Sequence, residues 1–501
     1  FSSLDSIIIV DIIVISDKLY SENDFYGVFF LTADGGVIYF YQKDEDLFME
    51  KNLTSGSVLK TVIYFSLPYL LSYFLQTLYG MADLFIIGQF GGVDGTTAVS
   101  VGSQVMHMLT VMIVGLAMGA TVLIGRAVGA GDRKLAARGI GNTISLFAGL
   151  SILLTGLLLT TVHGIIRLLS VPEEAVNGTA AYLMICFAGI PFITAYNIIS
   201  SIFRGMGDSK SPMYFVAIAC IINIALDYLL MGVFSLGPSG AALGTTLSQM
   251  CSVLIALVVI IKKRMFPGFR LRDLHPHKTT IASILQVGIP VAIQDGFIQV
   301  SFLVIMFANQ RGLNDAAAVG IVEKLIGILF LVPSSLLSTV SALSAQNLGA
   351  GKPERARQTL RYAICITFSF GLIIAIAMQF AAGAAVSLFT DEAEVVRLGT
   401  QYMKSYVLDC MIAGIHFCCS GFFCACGLSG LSFLHNCISI VVARIPLAWL
   451  ACRYFPETLY PMGLAAPIGS LISVAICLIA LRWIRRHPEK LVMNLHPVET
   501  E

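Results

Sequence analysis

The chain has 501 residues, 57% of them apolar and only 12% charged, with a mean hydropathy of +0.84 and a net charge of +1. Soluble globular proteins carry about a quarter charged residues, so this composition is that of an integral membrane protein. The near-zero net charge supplies no basic field, which excludes nucleic acid as a partner.

The first 48 residues are acidic, begin without Met, and contain no apolar run near 18 residues. They also lack the basic start and cleavage site of a signal peptide. Met49-Glu50-Lys51 reads as a natural beginning. Residues 1–48 are therefore expected to be an appendage, mis-started or disordered, the alternative being a cytoplasmic regulatory extension.

A spanning helix needs about 20 mostly apolar residues. Twelve such runs follow, near 60–87, 96–124, 137–161, 178–203, 212–234, 240–262, 281–308, 316–344, 359–388, 398–425, 431–453 and 461–484. Six precede the charged stretch after Lys262 and six follow it. The predicted organisation is an N-lobe over 49–261, a cytoplasmic linker and hinge over 262–280, a C-lobe over 281–490 and a cytoplasmic tail over 491–501. The fold class is all-α: twelve transmembrane helices in two pseudo-symmetric six-helix lobes.

The symmetry is visible as a repeat about 220 residues long. Ser66-Leu67-Pro68-Tyr69 is echoed by Gly288-Ile289-Pro290-Val291. Arg126-Ala127-Val128-Gly129-Ala130-Gly131-Asp132 is echoed by Gln346-Asn347-Leu348-Gly349-Ala350-Gly351-Lys352, and Tyr182 to Phe203 by Tyr402 to Phe423. Duplicated membrane bundles commonly bind substrate between the repeats and move one against the other. Lys and Arg gather after the even-numbered spans, which places both termini and the linker in the cytoplasm of a multi-pass protein of the cell (inner) membrane. Pro68, Pro191, Pro290 and Pro333 lie inside spans, where each removes a helix hydrogen bond. Pro68 is the hinge candidate, because its helix also carries an intramembrane acid.

A carboxylate at the centre of a span costs about 2.5–3.5 kcal/mol, so each one is a functional hypothesis. Gln76, Tyr79 and Asp83 are spaced by three and four residues and share one helix face. Asn223 and Asp227 form an i, i+4 pair on the fifth span, and Asn197 and Thr245 complete a polar set in the same lobe. A carboxyl group removed from water can hold a proton near neutral pH, whereas several converging oxygens can hold Na⁺. The coupling ion is therefore H⁺ or Na⁺. The C-lobe candidates for coupling or substrate contact are Asp295, Glu323, Asp409 and Arg444. Arg444 stands roughly where the Asn223/Asp227 pair stands in the first half, Glu323 is next to Lys324 and is read as pairing with it or lying near a helix end, and His416 reads as a packed histidine. Cys418, Cys419, Cys424 and Cys426 lie in an apolar run without the spacing of a zinc motif, so no metal is expected beyond Na⁺ at the N-lobe cluster. Tyr73, Phe74, Met106, Met108, Phe192, Phe297 and Phe302 are candidates to line a greasy cavity.

Several stretches, in order, carry a family resemblance: LTSGSVLKTVIYFSLPYLLSYFLQTLYGMADLFIIGQFGG, GRAVGAGDRKLAARG, IFRGMGDSKSPM, NIALDYLLMGV, GAALGTTLSQ and AQNLGAGKPERAR. From about Met49 to about Lys490 the chain resembles the multidrug and toxic compound extrusion (MATE) family, bacterial type. The resemblance implies two six-helix lobes around a cleft and antiport of cationic or amphiphilic drugs against H⁺ or Na⁺. It carries a coupling role onto Gln76, Tyr79, Asp83, Asn223, Asp227 and Thr245, with Asn197 a looser match. The family's Na⁺-binding Glu on the seventh helix has no counterpart in Gln294-Asp295-Gly296-Phe297-Ile298-Gln299, which puts the weight on the N-lobe. No cofactor and no obligate protein partner are implied. The partners are the lipid bilayer and small drug-like molecules. The alternative is a flippase for lipid-linked sugar precursors or a narrow-substrate exporter of the same superfamily. Arg444 is the one basic residue read convincingly within a span, fewer than a pyrophosphate lipid would require. Scattered histidines and the lack of a nucleotide-binding loop argue against an enzyme.

Overall fold

The computed structural model describes residues 53–169, 171–262, 265–266, 269–308 and 312–487, with two short strands before them. The expectations for the tail 491–501, for most of residues 1–48 and for the Phe302 side chain lie outside the described residues. The strands, β1 (Val28–Leu31) and β2 (Val37–Phe40), pair antiparallel with Val28 opposite Phe40, in a unit of its own that ends at Lys51.

The second unit is helical. Its first half contains α1 (Val58–Phe90), α2 (Gly92–Gly129), α3 (Arg133–Leu168), α4 (Glu173–Ala188), α5 (Ile190–Gly205), α6 (Lys210–Asp227) and α7 (Gly237–Lys262). Its second half contains α8 (Lys278–Ala308), α9 (Leu313–Leu329), α10 (Leu331–Gly349), α11 (Pro353–Ser387), α12 (Ala393–Tyr406), α13 (Leu408–Ala425), α14 (Ser429–Ile438), α15 (Ile445–Tyr454), α16 (Tyr460–Gly463) and α17 (Ala465–Arg486). Among the described residues, eleven helices or near-collinear runs are long and apolar enough to cross a membrane. The pair α4 and α5, bent by 50°, passes the same test of length and composition when taken together, which would bring the number to twelve. The bend has a local cause: Pro191 opens α5 without an N–H to continue the ladder, and a Cβ on Gly189 would lie 3.1 Å from Thr246 Cβ. A π-helical turn follows α6 at Tyr228–Val233, and another follows α14 at Ser439–Arg444.

The two halves interlock through their first helices. Val58, Val62, Phe65 and Tyr69 of α1 pack with Leu336, Val340, Leu360 and Phe422 of the second half. Further along, Ile86 and Ile87 of the same helix pack with Val99, Leu183 and Phe187 of the first half. Pro68 lies inside α1 within the first of these environments, between Phe65 and Tyr69. The second half mirrors this: Val287 and Val291 of α8 pack with Met118 and Val122 of α2, and Pro290 lies between them. Small residues permit the approach, since a Cβ on Gly119 would sit 2.9 Å from the Ile284 carbonyl carbon and one on Gly288 3.0 Å from that of Leu116.

Each crossing helix is also anchored at its entry. Lys352 Nζ donates to Thr54 O at 2.9 Å and Arg355 Nη1 to Gly56 O at 2.7 Å, tying the approach to α1 onto α11. Asn142 of α3 donates to the Asp273 and His275 carbonyls, both at 3.2 Å, and accepts from His277 N. The described part of the linker is held on α3, where one amide side chain satisfies three of its backbone groups.

Candidate functional site

The N-lobe acids converge. Asp83 comes from α1, Asn223 and Asp227 from the last turns of α6, and Thr245 from α7. Their exposures are 3% for Asp83, 1% for Asn223 and 0% for Asp227, so all three are withdrawn from solvent. Thr245 Oγ1 donates to Asp83 Oδ2 at 3.2 Å. The Asp227 carboxyl and the Asn223 amide lie near enough to the Asp83 carboxyl to interact with it electrostatically. Among the described residues, Asp83 Oδ1, both Asp227 oxygens and both polar atoms of Asn223 are buried without a hydrogen-bond partner. Unpartnered buried polar atoms are rare, because each carries its full desolvation cost. Two carboxyl groups in contact away from water are relieved by a shared proton or by a cation between them. The donor set is oxygen-rich, which suits a hard cation such as Na⁺ and not a thiophilic metal.

One contributor is invisible to a search for polar residues. A Cβ at position 244 would strike Asp227 Oδ1 and lie 3.7 Å from Asn223 Nδ2, so Gly244 on α7 makes the room in which the Asp227 carboxyl sits. The other predicted members are less central. Tyr79 is half-buried, with its hydroxyl in electrostatic reach of Asp83 and Tyr196. Gln76 lies beside Tyr196 on α5. Asn197 Nδ2 turns back to Ile193 O at 2.8 Å, and among the described residues no hydrogen bond joins it to Asp83 or Asp227. An asparagine in mid-helix commonly satisfies itself this way.

Arg204 follows the fourth apolar run, a place where a basic residue reads as a loop charge. It is instead buried on the last turn of α5, with its guanidinium 4.4 Å from the centre of the Tyr69 ring and among Tyr73 and Tyr196. Tyr73 reaches across to the second half through its hydroxyl, 2.9 Å from Ser338 Oγ.

The C-lobe acids are arranged differently. Tyr402 donates to Glu323 Oε1 at 2.9 Å and Tyr406 to Glu323 Oε2 at 3.4 Å. Arg444 Nη2 donates to the Tyr406 hydroxyl and is in electrostatic reach of Glu323 and Asp409. Glu323 therefore turns inward, away from the exposed Lys324 beside which it was expected to pair. Arg444 closes its π-helical turn, whereas Asp227 precedes its own, so the two positions do not correspond residue for residue. The chain continues through Ser470 near Asp409 to His416 Nε2, 3.3 Å from Ser470 Oγ, with the His435 ring 5.5 Å from that of His416. Asp295 is elsewhere, at the α2–α8 crossing, where a Cβ on Gly115 would lie 2.7 Å from its Oδ2. The cysteines 418, 419, 424 and 426 are buried in apolar clusters. Among the described residues no three His, Cys, Asp or Glu side chains are grouped to hold a metal ion.

Known proteins resemble the chain over most of its length. The MatE family model matches residues 68–229 and 291–450. The probable multidrug resistance protein YpnP of Bacillus subtilis is 31% identical over 429 residues, covering 85% of this chain and 95% of its own length. The probable multidrug resistance protein YoeA of the same organism is 27% identical, with 84% and 92% covered. An outward-facing structure of a multidrug resistance MATE family transporter of the MOP superfamily superposes with a TM-score of 0.81 at 21% identity, over 88% of this chain and 98% of that one.

Proposed function

This chain belongs to the MatE family of multidrug efflux transporters, and from that premise we propose that it exchanges amphiphilic or cationic organic compounds for H⁺ or Na⁺ by alternating access of its two lobes. It is a multi-pass membrane transporter and not an enzyme. The proposal places it in the inner membrane of the cell with both termini cytoplasmic, after the Lys and Arg bias of its loops.

The observation that carries the coupling reading is the set of orphaned, buried oxygens on Asp83, Asp227 and Asn223. An empty, doubly charged site forces the α1 and α6 carboxyl groups apart. A proton or cation between them removes the repulsion, so ion binding favours the arrangement in which the two helices close. An ion shifts a conformational equilibrium only by its differential affinity for the two states, and this site supplies one. α1 conveys the shift: Asp83 lies toward the end that packs within the first half, and Val58 to Tyr69, on both sides of Pro68, pack against the second half. Asp295, Glu323, Asp409 and Arg444 are proposed as a secondary set for coupling or substrate contact. The flippase alternative gains nothing from the basic residues, because Arg444 is engaged by Tyr406 and Arg204 is enclosed by tyrosines.

The test is efflux of a fluorescent cationic dye from energised cells, comparing the intact chain with Asp83→Asn at matched membrane expression. Parallel runs add an uncoupler or omit Na⁺, and name the ion. Efflux that survives Asp83→Asn moves coupling to Asp227 or the C-lobe. No efflux by the intact chain, with protein present in the membrane, overturns the drug-export reading.

A further inference from the structure

We propose that Arg126 and Gln346 form a paired latch that closes the two lobes together at one membrane face, and that each transport cycle opens and remakes it. The proposal rests on the alternating-access reading given above. Arg126 Nε and Nη2, near the end of α2, donate to Ala425 O at 3.0 and 2.6 Å. Gln346 Nε2, near the end of α10, donates to Gly205 O at 2.9 Å. Each bond joins a residue of one half to the last residue of a helix in the other half.

Both acceptors are carbonyls that their own helix ends leave over. The turn ending α5 uses the Ile202, Phe203 and Arg204 carbonyls, and the turn ending α13 uses those of Phe422, Phe423 and Cys424. Gly205 O and Ala425 O are the next in line, the orphan acceptors that every helix C-terminus offers. The helices also touch: a Cβ on Gly129 would lie 2.7 Å from the Gln346 carbonyl carbon, and one on Gly349 2.8 Å from that of Arg126. Arg126 and Gln346, Gly129 and Gly349, and Gly205 and Ala425 are each separated by the same 220 residues. The contact is therefore self-complementary, the same patch of each half meeting its own copy.

Two properties fit it for opening and closing. When the lobes part at a membrane surface, water replaces both bonds, so the net cost of opening is a small part of their gross strength. The arms are also unequal. Arg126 places a charge and two hydrogen bonds at the negative end of the α13 dipole, whereas Gln346 makes one neutral bond. The Arg126 arm dominates. Both residues act by positioning the lobes, and neither belongs to the acidic cluster.

Cys426, the residue after Ala425, is fully buried beside Arg126 and reports on the latch. The experiment uses the full chain in sealed vesicles of either orientation, a membrane-impermeant maleimide, and mass spectrometry of the Cys426 peptide. Dye transport is measured on the same vesicles. Arg126→Gln is expected to raise the Cys426 labelling rate about fivefold from the face bearing Arg133 and Lys134, and Gln346→Ala about twofold. Arg126→Lys, which keeps the charge, is expected to fall between wild type and Arg126→Gln. Unchanged Cys426 labelling in both Arg126→Gln and Gln346→Ala overturns the latch. So does a rise shared by Cys186, which is buried in the first-half core and would then report unfolding. Labelling that rises as expected while no dye is exported keeps the latch and removes the drug-export reading.

Discussion

The two lobes share one plan, yet their buried acids are treated in opposite ways. In the first, Asp83 and Asp227 meet with three carboxyl oxygens unpartnered and no basic residue among their hydrogen-bond partners. In the second, Glu323 accepts from two tyrosines and lies in the field of Arg444, and the one unpartnered carboxyl oxygen of this cluster among the described residues is Asp409 Oδ1. A satisfied cluster fixes one conformation, whereas an unsatisfied one requires something from outside and responds to its arrival. Duplication supplied two copies of a scaffold. Divergence gave the second-lobe glutamate hydrogen-bond donors that Asp227 of the first lobe lacks among the described residues.

The largest effect that would break this contrast is on transport. Asp227→Asn is expected to lower ion-coupled dye efflux by about two orders of magnitude, an effect of about 2.7 kcal/mol at a tenfold change per 1.36 kcal/mol. Initial rates at matched expression measure it, and near-normal efflux would remove Asp227 from the coupling site. Stability should move the other way. Glu323→Gln removes the charge that accepts from Tyr402 and Tyr406, while Asp409 stays within electrostatic reach of Arg444, and weakening hydrogen bonds to a buried charged group costs about 1.5–3 kcal/mol. Thermal unfolding in detergent should show a large fall for Glu323→Gln and little change, or a gain, for Asp227→Asn. Equal falls would mean the two clusters are equivalent. Gly244→Ala places a methyl against Asp227 Oδ1. Overpacking of that kind costs about 1–3 kcal/mol and should weaken apparent ion affinity roughly tenfold, as read from ion-concentration curves of transport. Tyr402→Phe removes one bond to Glu323 and should cost about 1 kcal/mol of stability with ion dependence unchanged. A shifted ion dependence in Tyr402→Phe would bring the C-lobe cluster into coupling.

Much of the architecture could be read along the chain. The spans are legible because a helix in hydrocarbon must satisfy its own backbone and show an apolar surface, so length and composition nearly suffice. Asp83, Asn223 and Asp227 were legible because helix periodicity fixes which residues share a face and because intramembrane acids are costly. Asn197 was not: the same polarity that made it a candidate lets it bond its own helix at Ile193. Arg204 misled for a related reason, since a basic residue near a span end reads as a loop charge until a tyrosine from another helix is found beneath it.

The sequence by itself determined the membrane class, the duplicated helix plan, the family and the identity of the buried first-half acids. These follow from local periodicity, hydropathy and repeats, all of which are properties of neighbours along the chain. Only the tertiary structure decided that α1 and α8 lean on the opposite lobe, that Gly244 makes space for Asp227, that Glu323 answers Tyr402 and not Lys324, and that Arg126 and Gln346 reach across to helix ends about 300 and 140 residues away. Each depends on which surfaces of distant helices come within bonding distance. That is set by side-chain size and helix crossing, and no spacing along a single segment encodes it.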